Sequence, residues 1–375
     1  MKLPEFKLER YFARNEFSAP YLLCCSDCES FSVGEILALE GEDALSSFSQ
    51  LPLSYTDSQG NPELRGLIAS LYRQIQSGQV LVTSGAEEAI FIFMNTALDP
   101  GDHVIVQWPC YQSLFEIARS IGCQVSRWEC REENNWRPDP EELAQAVKPN
   151  TRAIIINSPH NPTGRLMTTG DLNFLVDLAR KRELLLFSDE VYRFLEYDRD
   201  QSPVSACDLY ENAVSLGVMS KSYGLAGLRI GWVATRNTQI YNKMAAFKDY
   251  TSICNSAPGE YLASLALKHG ERLIGRNLAI IKENLNALDR FFARYADLFS
   301  WTRPGAGPIA FPGIRWEGSD SDQFCSDLLR TKGVLLAPSS QFDHGSGNFR
   351  IGFGRKNLPE ALARLEEYVR ERFIG

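Results

Sequence analysis

The sequence predicts an α/β protein, with a large domain holding a mostly parallel, doubly wound sheet flanked by helices and a smaller α+β domain. Three observations predict it. Apolar strand-like runs alternate with helix-length segments from residue 80 to residue 192, the spacing of βαβ units. The chain has 375 residues, beyond the usual reach of a single core. After Met244 the pattern changes to long helical periodicity followed by short strands. We therefore expect residues 41–256 to form the large domain, and residues 1–40 together with 257–375 to form the small one.

Taken in order, residues 1–40 read as an amphipathic helix, an irregular Ser- and Cys-rich segment, and a short helix at VGEILALEG. The turn signal Gly60-Asn61-Pro62 precedes a helix with Leu64, Leu67, Ile68 and Leu71 at i, i+3, i+4 and i+7. Strands are expected at 80–85, 103–109, 123–130, 152–159 and 183–192, and the helices between them at 86–98, 111–122, 140–147 and 169–182. IGWVAT (230–235) reads as a further strand. A helical region then covers about 257–297, short strands fall at WTRP, PIAFPGI, VLLAP and NFRIGFG, and NLPEALARLEEYVRERF is the final helix. Doubly wound sheets bind ligands beyond the carboxyl ends of their strands. The residues just after each strand are therefore the ones to inspect for chemistry.

Composition narrows the field. Hydrophobic residues at 44% and charged residues at 23% suit a globular protein with a sizeable core. A net charge of −8 lacks the basic balance that non-specific nucleic-acid binding wants. No apolar run reaches the ~18–20 residues that span a bilayer. The opening MKLPEFKLERYFARNEF mixes charged with apolar residues and holds no signal-peptide core. We expect a cytoplasmic protein with neither nucleic acid nor membrane as partner. The nine cysteines fit reduced thiols better than a disulfide framework. Cys24, Cys25 and Cys28 form a lone C-x-x-C, whereas zinc wants a second ligand pair. His103, His160, His269 and His344 stand too far apart to supply one, so no metal is expected.

Chemistry centres on SKSYGLAGLRIG (220–231), which sets Lys221 among small residues, eight positions before Arg229. A partly desolvated lysine can shed its proton and attack a carbonyl, which is how a Schiff-base lysine is made. The plain alternative is an exposed lysine on a loop entering the strand IGWVAT. Gly224, Gly227 and Gly231 allow close backbone approach. Gly85, Ala86 and Glu87 in VTSGAEEAI stand at a strand-to-helix junction, which is an anion site or simply a βα turn. Tyr111 follows WPC, placed to stack on a planar ring or to fill the core. SPHNPTG (158–164) projects the Asn161 amide from a rigid turn at the sheet edge. SDEVY (188–192) leaves Asp189 in apolar company, where a carboxylate wants a cation such as a protonated ring nitrogen.

In this order NPTG, SDEVY, SKxxGLxGLRIG and FRIGFG resemble the class I/II aminotransferases, which are fold-type I enzymes dependent on pyridoxal 5'-phosphate. The resemblance runs from about Tyr55 to the final helix. It implies that Lys221 forms the Schiff base and moves the proton, and that Asp189 partners the pyridinium nitrogen. It also implies that Asn161 and Tyr192 bind the ring 3′-oxygen, that Tyr111 stacks on the ring, and that Gly85, Ala86, Glu87 and Arg229 cradle the phosphate. Arg350, with Asn161 beside it, matches the group that grips the substrate carboxylate. Tyr55 matches the tyrosine that reaches the neighbouring subunit's phosphate, which implies a homodimer. The chain departs from the pattern at Val218, where many relatives carry a phosphate-binding hydroxyl. It departs again at SDCESFSVGE (26–35), which replaces the usual substrate loop and is loosely similar to members that cyclise or oxidise arginine-type substrates. The implied activity is exchange of an amino group between an L-amino acid and a 2-oxo acid. A lyase, cyclase or oxidase using the same cofactor is the second reading. A ligand-sensing regulator of this fold would want an added DNA-binding domain, for which the first 40 residues are too few.

Overall fold

A computed structural model of the chain describes residues 2–373. At its centre lies a seven-stranded sheet: β1 (Val80–Thr83), β2 (His103–Trp108), β3 (Gln124–Glu129), β4 (Thr151–Asn157), β5 (Leu185–Asp189), β6 (Ala213–Val218) and β7 (Gly231–Thr235). The spatial order is β1-β7-β6-β5-β4-β2-β3. Strands β3, β2, β4, β5 and β6 are parallel, and β7 runs antiparallel to both its neighbours, β6 and β1.

The pleat explains why the central strands β4 and β5 are apolar on both faces. Ala153 and Ile155 of β4 and Phe187 of β5 point into one core, while Ile154, Ile156 and Leu186 point into the other. The first core takes in Phe93 of helix Ala86–Ala97 and Phe115 of helix Ser113–Ile121. The second takes in Leu143 of helix Pro140–Ala146 and Leu175 of helix Thr169–Lys181. Helices thus cover both faces, as a doubly wound sheet requires.

Several boundaries differ from expectation. Ala213–Val218 is a central strand that the sequence reading leaves unassigned, because AVSLGV carries Ser and Gly, and it lies between β5 and β7. Helix Thr238–Lys248 is likewise unassigned there. The strand expected at 183–192 covers only Leu185–Asp189, since the Val191 N–H turns back to donate to Asp189 Oδ1 at 3.2 Å. The region 257–297 is two helices, Ala257–Lys268 and Gly270–Arg294, meeting at His269. The strand expected at WTRP lies earlier, at Phe299–Ser300, because Phe299 enters the core while Trp301 stacks on Phe292 at 4.3 Å.

The first forty residues associate with the last third of the chain. Tyr21–Leu22 pairs in parallel with Val334–Leu335. The Gly352 N–H donates to the Leu23 carbonyl at 2.7 Å, alongside a three-stranded antiparallel sheet ordered Ile309–Ala310, Phe349–Gly352, Ala337–Pro338. The amino-terminal helix Lys7–Asn15 bridges outward from there. Its Lys7 N–H donates to Gln112 Oε1 at 2.9 Å, and its Tyr11 hydroxyl donates to the Leu336 carbonyl at 2.7 Å. Among the described residues no helix is long and apolar enough to cross a membrane.

Candidate active site

The carboxyl ends of β4, β5 and β6 open into a cavity of about 580 Å³. Because parallel strands end on one edge, residues far apart in sequence arrive together there. Asp189 is the last residue of β5, and Lys221 follows the end of β6 by three positions. Asn157 closes β4 and ties the edge together, its Nδ2 donating to the Asp189 carbonyl at 2.9 Å and its Oδ1 accepting from the Asn161 N–H at 2.6 Å.

Asp189 is 5% exposed and belongs to no ion pair among the described residues. Burial pushes its carboxyl up to about 7, partly countered by the Val191 N–H and by the positive charge of Lys221. Arg350, 1% exposed, is held by the Cys24 carbonyl, which accepts from Nε at 3.2 Å and from Nη2 at 2.8 Å. Its Nη1 donates to Asn161 Oδ1 at 3.1 Å. Lys221 Nζ donates to Ser26 Oγ at 2.9 Å and lies 5.8 Å from the Tyr192 ring centre. The Tyr111 hydroxyl donates to Glu9 Oε1 at 2.7 Å, and its ring meets Phe6 at 4.8 Å, tilted by 48°. Burial also pushes the Glu87 carboxyl up to about 7, against a hydrogen bond of 3.1 Å from Ser113 Oγ.

Of the residues singled out in the sequence, Ala86, Glu87, Tyr111, Asn161, Asp189 and Tyr192 line this cavity, as do Lys221, Arg229 and Arg350. Gly85 stands just behind the wall at the start of helix Ala86–Ala97. Its φ is 88°, and a Cβ there would lie 2.5 Å from Arg229 Nη2, so only glycine leaves the guanidinium its place. Gly227, by contrast, faces open space, and close approach does not explain it. Val218 and Ser220 both line the cavity, with no hydroxyl at the former. Tyr55 is 87% exposed and lies outside the lining.

Sequence reasoning missed Glu9, Glu16, Ser26, Asp27, Asn157 and Arg355, polar residues that also line the wall. Glu9, Phe12 and Glu16 fall three and four positions apart, one side of an amphipathic helix, and that spacing was the available signal. Ser26 and Asp27 open the unusual SDCESFSVGE segment.

The walls fit pyridoxal phosphate. A buried carboxyl without a cationic partner suits a protonated ring nitrogen, and the start of helix Ala86–Ala97 with Arg229 suits a phosphate. Lys221 supplies the amine. Among the described residues no group of three or more His, Cys, Asp or Glu is arranged to hold a metal ion.

Known proteins are similar to this chain over most of its length. The family model for aminotransferase class I and II matches residues 38–365. A pyridoxal-phosphate-dependent aminotransferase from Streptococcus suis has a solved structure that superposes with a TM-score of 0.93 at 34% identity, covering 99% of both chains. The structure of the pyridoxal-phosphate-dependent cyclase OrfR superposes with a TM-score of 0.91 at 29% identity, over 99% of this chain and 98% of that one. Capreomycidine synthase from Streptomyces vinaceus is 30% identical over 370 residues, 97% of this chain and 94% of its own length.

Proposed function

The chain belongs to the class I and II aminotransferases, and from that premise we propose that it transfers the amino group of an L-amino acid with a basic side chain to a 2-oxo acid. The observation that carries the reading is one cavity holding the Lys221 amine, the buried Asp189 carboxyl and the buried Arg350 guanidinium. Pyridoxal phosphate, once bound, supplies an aldehyde for the substrate amine and a protonated ring that withdraws electrons from the bonds at the substrate α-carbon. Asp189 would keep that ring protonated, and Asn161, Tyr192 and Tyr111, which line the same cavity, would hold the ring in place. Gly85, Ala86 and Glu87 through the backbone, with Arg229, hold the phosphate. Arg350, beside Asn161, orients the substrate by its carboxylate, and Lys221 takes the α-proton and returns it at a different carbon.

The remaining charges indicate the side chain. Asp27 is forked by Arg355 at 2.9 and 2.8 Å and so is already neutralised. With Asp189, Arg229 and Arg350 given to cofactor and substrate carboxylate, Glu9, Glu16 and Glu87 stay in the wall without an ion pair among the described residues. Burial pushes Glu87 toward its neutral form, which leaves Glu9 and Glu16. A cationic substrate side chain would give them the counter-charge that their hydrogen bonds, from the Tyr111 hydroxyl to Glu9 and the Cys25 thiol to Glu16, do not supply. The test is a panel of amino acids. Arginine, ornithine or lysine should be accepted ahead of aspartate and phenylalanine, and a preference for aspartate would overturn the substrate class.

A second reading, cyclisation or elimination on the same cofactor, is favoured by those two carboxylates, which are acid–base groups beyond Lys221. Two of the similar chains, named as a synthase and a cyclase, support it. The readings separate when enzyme and an accepted amino acid are mixed without a 2-oxo acid. Transamination predicts one equivalent of product, with the cofactor left in its amino form and restored by a 2-oxo acid. Continued turnover with the cofactor still an aldehyde would establish the second reading instead. The free state of the nine cysteines supports a reducing compartment, the cytoplasm, as its location.

A further inference from the structure

We propose that Ser26 is a positioning residue for the amine of Lys221, an assignment that rests on Lys221 carrying the cofactor. The two side chains meet across the cavity wall, 195 positions apart in sequence, with Nζ donating to Ser26 Oγ at 2.9 Å. Lys221 enters no ion pair within 4.0 Å among the described residues, so a neutral hydroxyl is what holds the amine in place. The other titratable groups around it are Asp189, Cys28 and the Tyr192 ring.

The kind of partner decides what the amine can do. A carboxylate in this place would keep the proton on Nζ by charge and leave a poor base. A hydroxyl both accepts and donates. It accepts from the ammonium and donates to the free amine without either group moving. A lysine that removes a proton at one carbon and delivers it at another passes through both states, and Ser26 keeps it in one position while its amine is free of the cofactor.

The hydroxyl is itself well fixed. On one side of it, the Cys24 carbonyl is held by Arg350, and on the other Asp27 is forked by Arg355. A Cβ at Gly352 would collide with the Cys25 carbonyl, so strand Phe349–Gly352 runs directly against this loop. The arginine assigned to the substrate carboxylate and the hydroxyl assigned to the lysine are therefore braced by the same few residues, 24 to 27.

Three variants test the assignment: Ser26→Ala, Ser26→Thr and Ser26→Asp. In the cofactor-free protein, competitive acetylation of Lys221 across a pH series, read by mass spectrometry, gives the amine's titration. Ser26→Asp should move it upward by about one unit or more, and Ser26→Thr should leave it in place. In the loaded enzyme, Ser26→Ala should lower kcat by about 10- to 100-fold, the worth of one hydrogen bond to a charged group. The amino-acid KM should stay within about threefold and Ser26→Thr should recover most of kcat. Wild-type kcat in Ser26→Ala, a loss confined to KM, or an unmoved titration in Ser26→Asp would each overturn the proposal. If Ser26→Ala fails to fold, the acetylation series on the other two decides. Borohydride reduction and peptide mapping keep the two readings apart. A label on Lys221 with no effect at Ser26 sinks this proposal alone, whereas a label on another lysine sinks both.

Discussion

Asp189 shows how one side chain joins stability to chemistry. Its carboxyl, raised by burial to about 7, binds a proton in the cofactor-free fold that the unfolded chain has already released. The stabilisation it gives is complete below about pH 4 and is lost as pH rises through 7, at up to ~1.4 kcal/mol per unit. Denaturant unfolding of the cofactor-free protein should therefore give a free energy that falls between pH 5 and 7. Asp189→Asn should flatten part of that slope, and Glu87, also raised to about 7, accounts for a further share. A slope unchanged in Asp189→Asn would show that the carboxyl is ionised in the fold. Asp189→Ala should depress turnover by orders of magnitude while some cofactor is retained, because the charge acts on the ring more than on its binding. Asp189, Lys221, Asn161 and Arg350 were legible because each sits in a short run that carries its own context. Glu9 and Ser26 were not, since what ties them to the cavity is contact with Tyr111 and Lys221, more than a hundred positions away.

Strand β5 is the element that sets Asp189 in place, and its hold comes from packing. Phe187, two residues before Asp189, meets Phe93 of helix Ala86–Ala97 with ring centres 4.5 Å apart. Phe187→Ala should cost about 3–5 kcal/mol by loss of contact and opening of a cavity. Phe174→Ala, at a position 39% exposed, should stay within about 0.5 kcal/mol. Chemical denaturation of the two variants checks the contrast, and equal losses would mean that the sheet's cores do not govern stability. Elements that bury one face against a neighbour announced themselves by period, as helix Thr169–Lys181 did. Strand β6 did not, because a strand flanked by two others can carry Ser and Gly and still be buried.

At the scale of the molecule, we propose a homodimer with each site completed by its neighbour. Leu53 and Tyr55 are exposed on one segment, and Tyr250 and Ile253 on another. The two segments are joined by the Thr56 hydroxyl donating to the Asn255 carbonyl at 3.1 Å. These apolar side chains suit a second copy of the chain better than water. If Tyr55→Ala and Lys221→Ala are each inactive, mixed dimers carrying one of each should regain activity from their single intact site. Verified mixed dimers without activity would argue against a shared site. The pairing of Tyr21–Leu22 with Val334–Leu335 has a consequence for how the protein is made. A ribosome delivers the amino-terminal helix first, and Tyr111 and Gln112 can receive it early, yet Leu336 and Asp343, which complete its docking surface, emerge far later. The sheet between residues 80 and 235 can assemble while synthesis continues and offers Tyr111, Gln112 and Lys221 to the wall bearing Glu9, Glu16 and Ser26. The stretch from Cys24 to Asp27, however, is braced only once Arg350 and Arg355 have emerged. A nascent chain halted before Val334 would hold Asp189 and Lys221 on a finished sheet, under a cavity still missing one side.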